Sequence, residues 1–275
     1  MAYLKATFGY LKDHFLRALA FCFLPALMLG LVSSPVSLIG LLFSEQLDRT
    51  VSFSEVFLTG TDLDKPYKLV VMILAFVLYA ICAAAYVGSV QHKMRYGHFY
   101  KFNAHNFFKL VNNNFLPVAK GMLSLMVLME LLGIVTTLFV FFWSKVVAIK
   151  AVTIVLCTIT VILFVGLFLF VASMLILTIP NMTMRGFGLF KSIRLSWTTS
   201  INKFKNVALP VVIPMVIAYV PLVIVNAFHV NVLSQILDVL FYAFALMYYH
   251  VLMYVIFFDL ENVEVADINE NNYWG

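Results

Sequence analysis

Apolar runs of twenty or more residues alternate with short polar knots along this chain. The runs cover roughly 18–43, 69–90, 115–143, 151–179, 207–228 and 232–258. About 20 helical residues cross a hydrocarbon core about 30 Å thick, so each run is long enough to span it. Inside lipid a spanning segment must satisfy its own backbone groups. These runs are continuous rather than alternating, so six helices are expected and a β-barrel is not. The first run carries "VSSPVS" at 32–37, but apolar sequence resumes behind it. A retained helix kinked at Pro35 is expected there, not a cleaved leader. The pattern predicts an all-α polytopic domain over residues 1–260, six spans in three hairpins, with an acidic tail at 261–275.

Three of the knots resemble one another. They read "ATFGYLKDHFLRALAFCFLPAL", "HNFFKLVNNNFLPVAKGML" and "SIRLSWTTSINKFKNVALPVVIP". Each has an apolar stripe at helical spacing, then polar residues, then a phenylalanine (Phe15, Phe115 or Phe204), then a span. The reading is a threefold repeat, roughly 1–90, 100–179 and 186–258. Each hairpin is preceded by a cytoplasmic amphipathic helix lying flat at the headgroups. In the third unit Leu189, Ile193 and Trp197 recur at i, i+4 and i+8, with Lys191 and Arg194 off that line. Such a helix must turn to enter the bilayer, and polar side chains can cap the donors that the turn frees. Asn112, Asn113 and Asn114 are expected at one of these corners. A sugar, peptide or ion site built on the amides is the alternative.

Composition removes the soluble alternative. The chain is 63% hydrophobic and 11% charged, where soluble domains carry about 25% charged residues. Cys22, Cys82 and Cys157 all fall inside apolar runs without a C-x-x-C. They read as small apolar residues, not as a disulfide framework or a metal site. Of the 18 Lys and Arg, 13 fall on one side of the predicted membrane. They lie in the N-terminal segment and in the connections around 93–120 and 185–205, which hold no Asp or Glu. The first loop on the other side carries Glu45, Asp48, Glu55, Asp62 and Asp64. The bias places both termini in the cytoplasm. The tail is expected to stay solvated or to fold back on the basic connections.

Candidate chemistry is sparse. Glu130 falls near the middle of the third span, where an ionisable group is costly and defaults to a functional hypothesis. Its alternative is a protonated acid hydrogen-bonded to Lys120, His250, Asn226 or Thr136. Asp238, Asn226 and His229 could line a small pocket at the outer end, or Asp238 could simply reach interfacial water. His250 reads as a satisfied interior histidine. Pro210, Pro214 and Pro221 are expected to break the fifth span, and transporters use broken helices at substrate sites. "RGFG" at 185–188 reads as a hinge. No G-x-S-x-G, H-E-x-x-H or paired carboxylates with a nearby histidine occur. No enzyme activity, metal or cofactor is therefore expected. Basic loops this short and apolar suit anionic headgroups better than nucleic acid. Lys109, Lys191, Arg194, Lys203, Lys205 and Trp197 are the candidate lipid or partner surface.

"TIPNMTMRGFGLFKSIRLSWTTSINKFKNVALPVVIP" resembles a stretch shared by a set of bacterial six-span proteins. The set includes the membrane domain fused to some glycerophosphodiester phosphodiesterases and related uncharacterised families. The positions that carry the resemblance are Pro180, Gly188, Ser192, Leu195, Ser196 and Trp197. "HFYKFNAHNFFKLVNNNF" resembles the matching loop of YesL-like membrane proteins, which are associated with carbohydrate uptake. The resemblance implies a multi-pass protein of the bacterial inner membrane and brings no catalytic residue. The tail after residue 260 is too short for a phosphodiesterase domain, so that activity is not implied. The leading expectation is a non-enzymatic lipid- or partner-binding protein, accessory to transport or envelope homeostasis, with a transporter or other membrane protein as partner. The alternative is a small-solute transporter or channel using Glu130 and the fifth span.

Overall fold

The computed structural model describes residues 2–36, 52–60, 66–101, 103–147, 149–228 and 231–261. Among them there are helices and no strands. The helices are α1 (Ala2–Val32), α2 (Phe53–Gly60), α3 (Pro66–Tyr96), α4 (Ala104–Val146) and α5 (Lys150–Met174), followed by α6 (Thr178–Arg185), α7 (Leu189–Asn202), α8 (Phe204–Ala227) and α9 (Asn231–Leu260). Six are long and apolar enough to cross a membrane, and this is a multi-pass membrane protein. Residues 37–51, His229 and the tail from 262 onward lie outside the described residues, as do Asp62, Asp64 and Lys65.

Each span packs on the next along the chain, and α9 returns to α1, which closes a ring of six. The α1–α9 seam is the most extensive. It depends on Gly30, where a Cβ would lie 2.6 Å from the Val239 backbone nitrogen. Small residues let helix backbones approach this closely, which is how helices associate where lipid removes the hydrophobic drive.

The backbone turns where two of the three corners are expected. Within α1, His14 leaves helical geometry (φ −126°, ψ 22°), one residue before Phe15. Between α7 and α8, Lys203 does the same (φ −118°, ψ 35°), one residue before Phe204. The middle corner is absent: α4 runs through Asn112–Asn114 without a break. Its N-cap is Asn103, whose side-chain oxygen accepts from the Asn106 amide at 2.8 Å. Asn114 donates its amide to the Leu110 carbonyl of its own helix at 2.9 Å and is buried. A Cβ on Gly88 of α3 would meet that amide at 2.5 Å. Asn114 is a self-satisfied residue at a close helix crossing, so it has no donors to cap.

Two further expectations are corrected. Helix α1 stops at Val32, ahead of Pro35, and holds Pro25 instead, while residues 37–43 of that run lie outside the described residues. The fifth span is not broken, because α8 is one helix despite Pro210, Pro214 and Pro221. The reason lies in α9. A proline at 214 removes the hydrogen bond that the Pro210 carbonyl would accept. The buried Tyr248 hydroxyl donates to that carbonyl at 2.7 Å instead. Other α9 tyrosines act alike, Tyr249 donating to Ala172 at the end of α5 (3.3 Å) and Tyr254 sharing a 2.7 Å bond with Thr183 of α6.

Tyr248→Phe is therefore expected to destabilise the bundle by about 1 kcal/mol, the scale of interhelical hydrogen bonds in membranes. Tyr86→Phe removes a buried hydroxyl that has no partner among the described residues and is expected to be neutral or stabilising. Unfolding in mixed micelles by denaturing detergent compares the two.

Candidate functional site

The four intramembrane polar residues do not assemble into one site. Glu130 is half-buried on α4, ten residues past Lys120 and fifteen before Lys145. It makes no hydrogen bond or ion pair with a described residue. Its suggested partners are engaged elsewhere or out in the open. Thr136 donates to Leu132 at 2.7 Å, Asn226 to Leu222 at 3.1 Å, and Lys120 is exposed. Gly133, three residues on, faces open space.

Asp238 is buried at 3% exposure and accepts a 3.2 Å bond from Ser34 Oγ. The end of α1 packs over it, and His229, the third member of the expected outer pocket, lies outside the described residues. His250 is buried, with Nδ1 2.6 Å from the Leu246 carbonyl and the rings of Tyr79 and Tyr86 edge-on. That bond puts the proton on Nδ1 and leaves Nε2 as a buried acceptor with no partner among the described residues. The histidine is thus half satisfied rather than fully.

The basic end is more informative. Lys109, Lys191, Arg194, Lys203 and Lys205 are all exposed, and none forms an ion pair with a described residue. Lys191 Nζ sits 3.8 Å above the Phe187 ring. Trp197 is half-buried, edge-on to Phe170 of α5 with ring centres 6.3 Å apart. The helix carrying them docks by its serines: Ser192, Ser196 and Ser200 are buried in one line. Phe190 is 86% exposed, and Leu189, Ile193 and Trp197 flank the buried stripe. Ser196 Oγ donates to the Met174 carbonyl at 2.7 Å and accepts from the Leu177 amide at 3.0 Å. It thereby closes the gap in the backbone ladder between α5 and α6.

No family model, curated protein or solved structure matches this chain. The geometry of this end therefore stands by itself. The "RGFG" turn is a helix stop: Gly186 has φ +66°, and its N–H bonds back to the Asn181 carbonyl. Gly97 plays the same part after α3, at φ +74°. A left-handed turn of this kind suits glycine, which has no Cβ to clash.

Beyond Gly97 the chain folds over the α1 corner. Arg17 stacks its guanidinium 4.0 Å above Phe99, and Tyr100 stacks on His92 at 3.7 Å. Burial holds His92 below its ordinary range, helped by His98 and Lys109. Burial and then Lys93 do the same for His14, against a smaller pull from Asp13. The exit of α9 is pinned here too. Glu261 pairs with Arg185, and Tyr3 donates to Asp259. Arg17 and its neighbours were missed by sequence reasoning. The signal was the stretch 91–120, basic throughout and free of acids.

Proposed function

We propose that this is a non-enzymatic protein of the bacterial inner membrane, with cytoplasmic termini, whose basic face binds anionic lipid headgroups. In that role it is accessory to transport or envelope homeostasis, beside a transporter or other membrane protein. The observation that supports this reading is the set of five exposed cations without carboxylate partners among the described residues, on and beside helices that leave the bundle at one end. Water alone would solvate them, but a row of anionic headgroups offers each about 1 kcal/mol, about fivefold in binding.

The test is lipid retention. Wild-type protein extracted in mild detergent from bilayers of equal phosphatidylglycerol and phosphatidylcholine is expected to be enriched in the former. Replacing Lys191, Arg194, Lys203 and Lys205 by Gln should lower that enrichment at least about fivefold, and less in high salt. No enrichment in the wild type would end the reading.

One observation favours transport as the second reading: Glu130 lies half-buried in the third span with no hydrogen bond or ion pair to a described residue. Glu130→Gln should then abolish pH-dependent flux in proteoliposomes. Flux that survives the change counts against that route. Turnover of lipid by the purified protein would contradict both readings.

A further inference from the structure

The structure carries a small, half-open cleft at the basic end, separate from the five exposed cations described above. It lies where the α1 corner, the last turns of α3 and the start of α4 meet. Its rim has two cations, Arg17 and Lys101. Neither has a carboxylate partner among the described residues. Stacking on Phe99 holds the Arg17 guanidinium in place. Its floor is apolar, made by Phe21, Phe107 and Leu110, with the Phe21 and Phe107 rings parallel at 6.5 Å between centres. Ser89 lines it from α3 and is only 4% exposed, which sets a hydroxyl that can donate to a ligand oxygen against the cleft. The first turn of α4 also opens here, with Asn103 and Asn106 in the wall. The Asn106 amide is already capped by Asn103, so what the helix start offers an anion is its dipole.

We propose that this pocket binds the phosphate of one inner-leaflet phospholipid with an anionic headgroup. Arg17 and Lys101 hold the phosphate oxygens. The Ser89 hydroxyl donates to the phosphate or to a glycerol ester oxygen. The glycerol and first acyl carbons lie over Phe21, Phe107 and Leu110. A free phosphate ion would use the rim and leave the apolar floor wet, which is why the lipid is the occupant. The site rests on the lipid-binding reading above and adds a specific lipid to its diffuse surface attraction.

The experiment uses full-length protein in mild detergent, with bound lipid counted by native mass spectrometry. The wild type is expected to keep one phosphatidylglycerol through delipidation that strips phosphatidylcholine. Arg17→Gln and Lys101→Gln should each weaken retention of that lipid roughly tenfold, the scale of a lost charge-assisted hydrogen bond. Arg17→Lys should retain part of the affinity. Lys101 is exposed, so Lys101→Gln remains a fair test should an Arg17 variant fold poorly.

Three outcomes overturn the site. Retention lost in the Lys191, Arg194, Lys203 and Lys205 variant but unchanged in Lys101→Gln would leave the surface reading standing and remove the pocket. Equal displacement by millimolar inorganic phosphate would make the occupant a free anion. No retained anionic lipid in any form of the protein would remove both the pocket and the reading beneath it.

Discussion

Replacing Gly30 by valine is expected to unseat α1 from α9 and produce the largest loss of stability from any single change in the bundle. A Cβ at residue 30 would fall 2.6 Å from the Val239 Cγ2 and amide nitrogen, and 2.7 Å from its Cα. Two of those atoms are backbone, so no rotamer change relieves the overlap and the helices must separate. The seam is also the most extensive in the ring and adjoins the buried Asp238–Ser34 bond. Overpacking a tight contact costs about 1–3 kcal/mol, and more where the obstacle is backbone. Gly30→Ala should already lose about 2 kcal/mol. Gly133→Ala is the matched control. No atom lies within 4 Å of its Cβ position, and alanine is the better helix former by about 1 kcal/mol. A Gly133 variant as damaged as the Gly30 variant would show that the α1–α9 crossing is not what the glycine serves.

Ser196→Ala is the second large effect. The hydroxyl satisfies a carbonyl and an amide at once, at the place where α5 stops and α6 has yet to begin. Met174, Leu177 and Ser196 are all buried, so water cannot replace either bond. A buried group left without its partner costs about 1–3 kcal/mol. About 2 kcal/mol is expected, with α7 and its cations loosened from the bundle. The readout is amide hydrogen exchange across 174–178, which should speed up in Ser196→Ala. The neighbouring Ser192→Ala should change nothing, since that hydroxyl has no partner among the described residues. A silent Ser196 substitution would show that the ladder is bridged some other way.

Hydropathy made the six spans legible because apolar length is what a bilayer reads. The corners were half legible. Phenylalanine after a polar pair marks the turns at His14 and Lys203, but the same letters before Phe115 sit inside a continuous helix. Polar side chains cap donors only where donors are free, and Asn114 instead tucks against Gly88. Prolines misled in the fifth span because the repair comes from Tyr248, 38 residues away, and no local pattern shows it. The serine line at 192, 196 and 200 was visible as spacing, yet the apolar residues beside it drew the attention and the face that docks on the bundle went unread. The "SFSE" at 52–55 was a legible helix start that went unread. Ser52 and Glu55 bond reciprocally there, and Ser52 holds the exposed Glu55 carboxyl below its usual range. The Arg17 pocket needs three segments brought together by folding, so sequence offered only its charge.

The placement of the cation-bearing end is tested most directly by labelling single cysteines with a membrane-impermeant maleimide in intact cells and in inverted vesicles. The native Cys22, Cys82 and Cys157 are replaced by alanine, and Lys205→Cys and Glu55→Cys are compared, both at exposed positions. The account predicts that position 205 reacts only in inverted vesicles and position 55 only in intact cells. Labelling of position 205 from outside intact cells would contradict it.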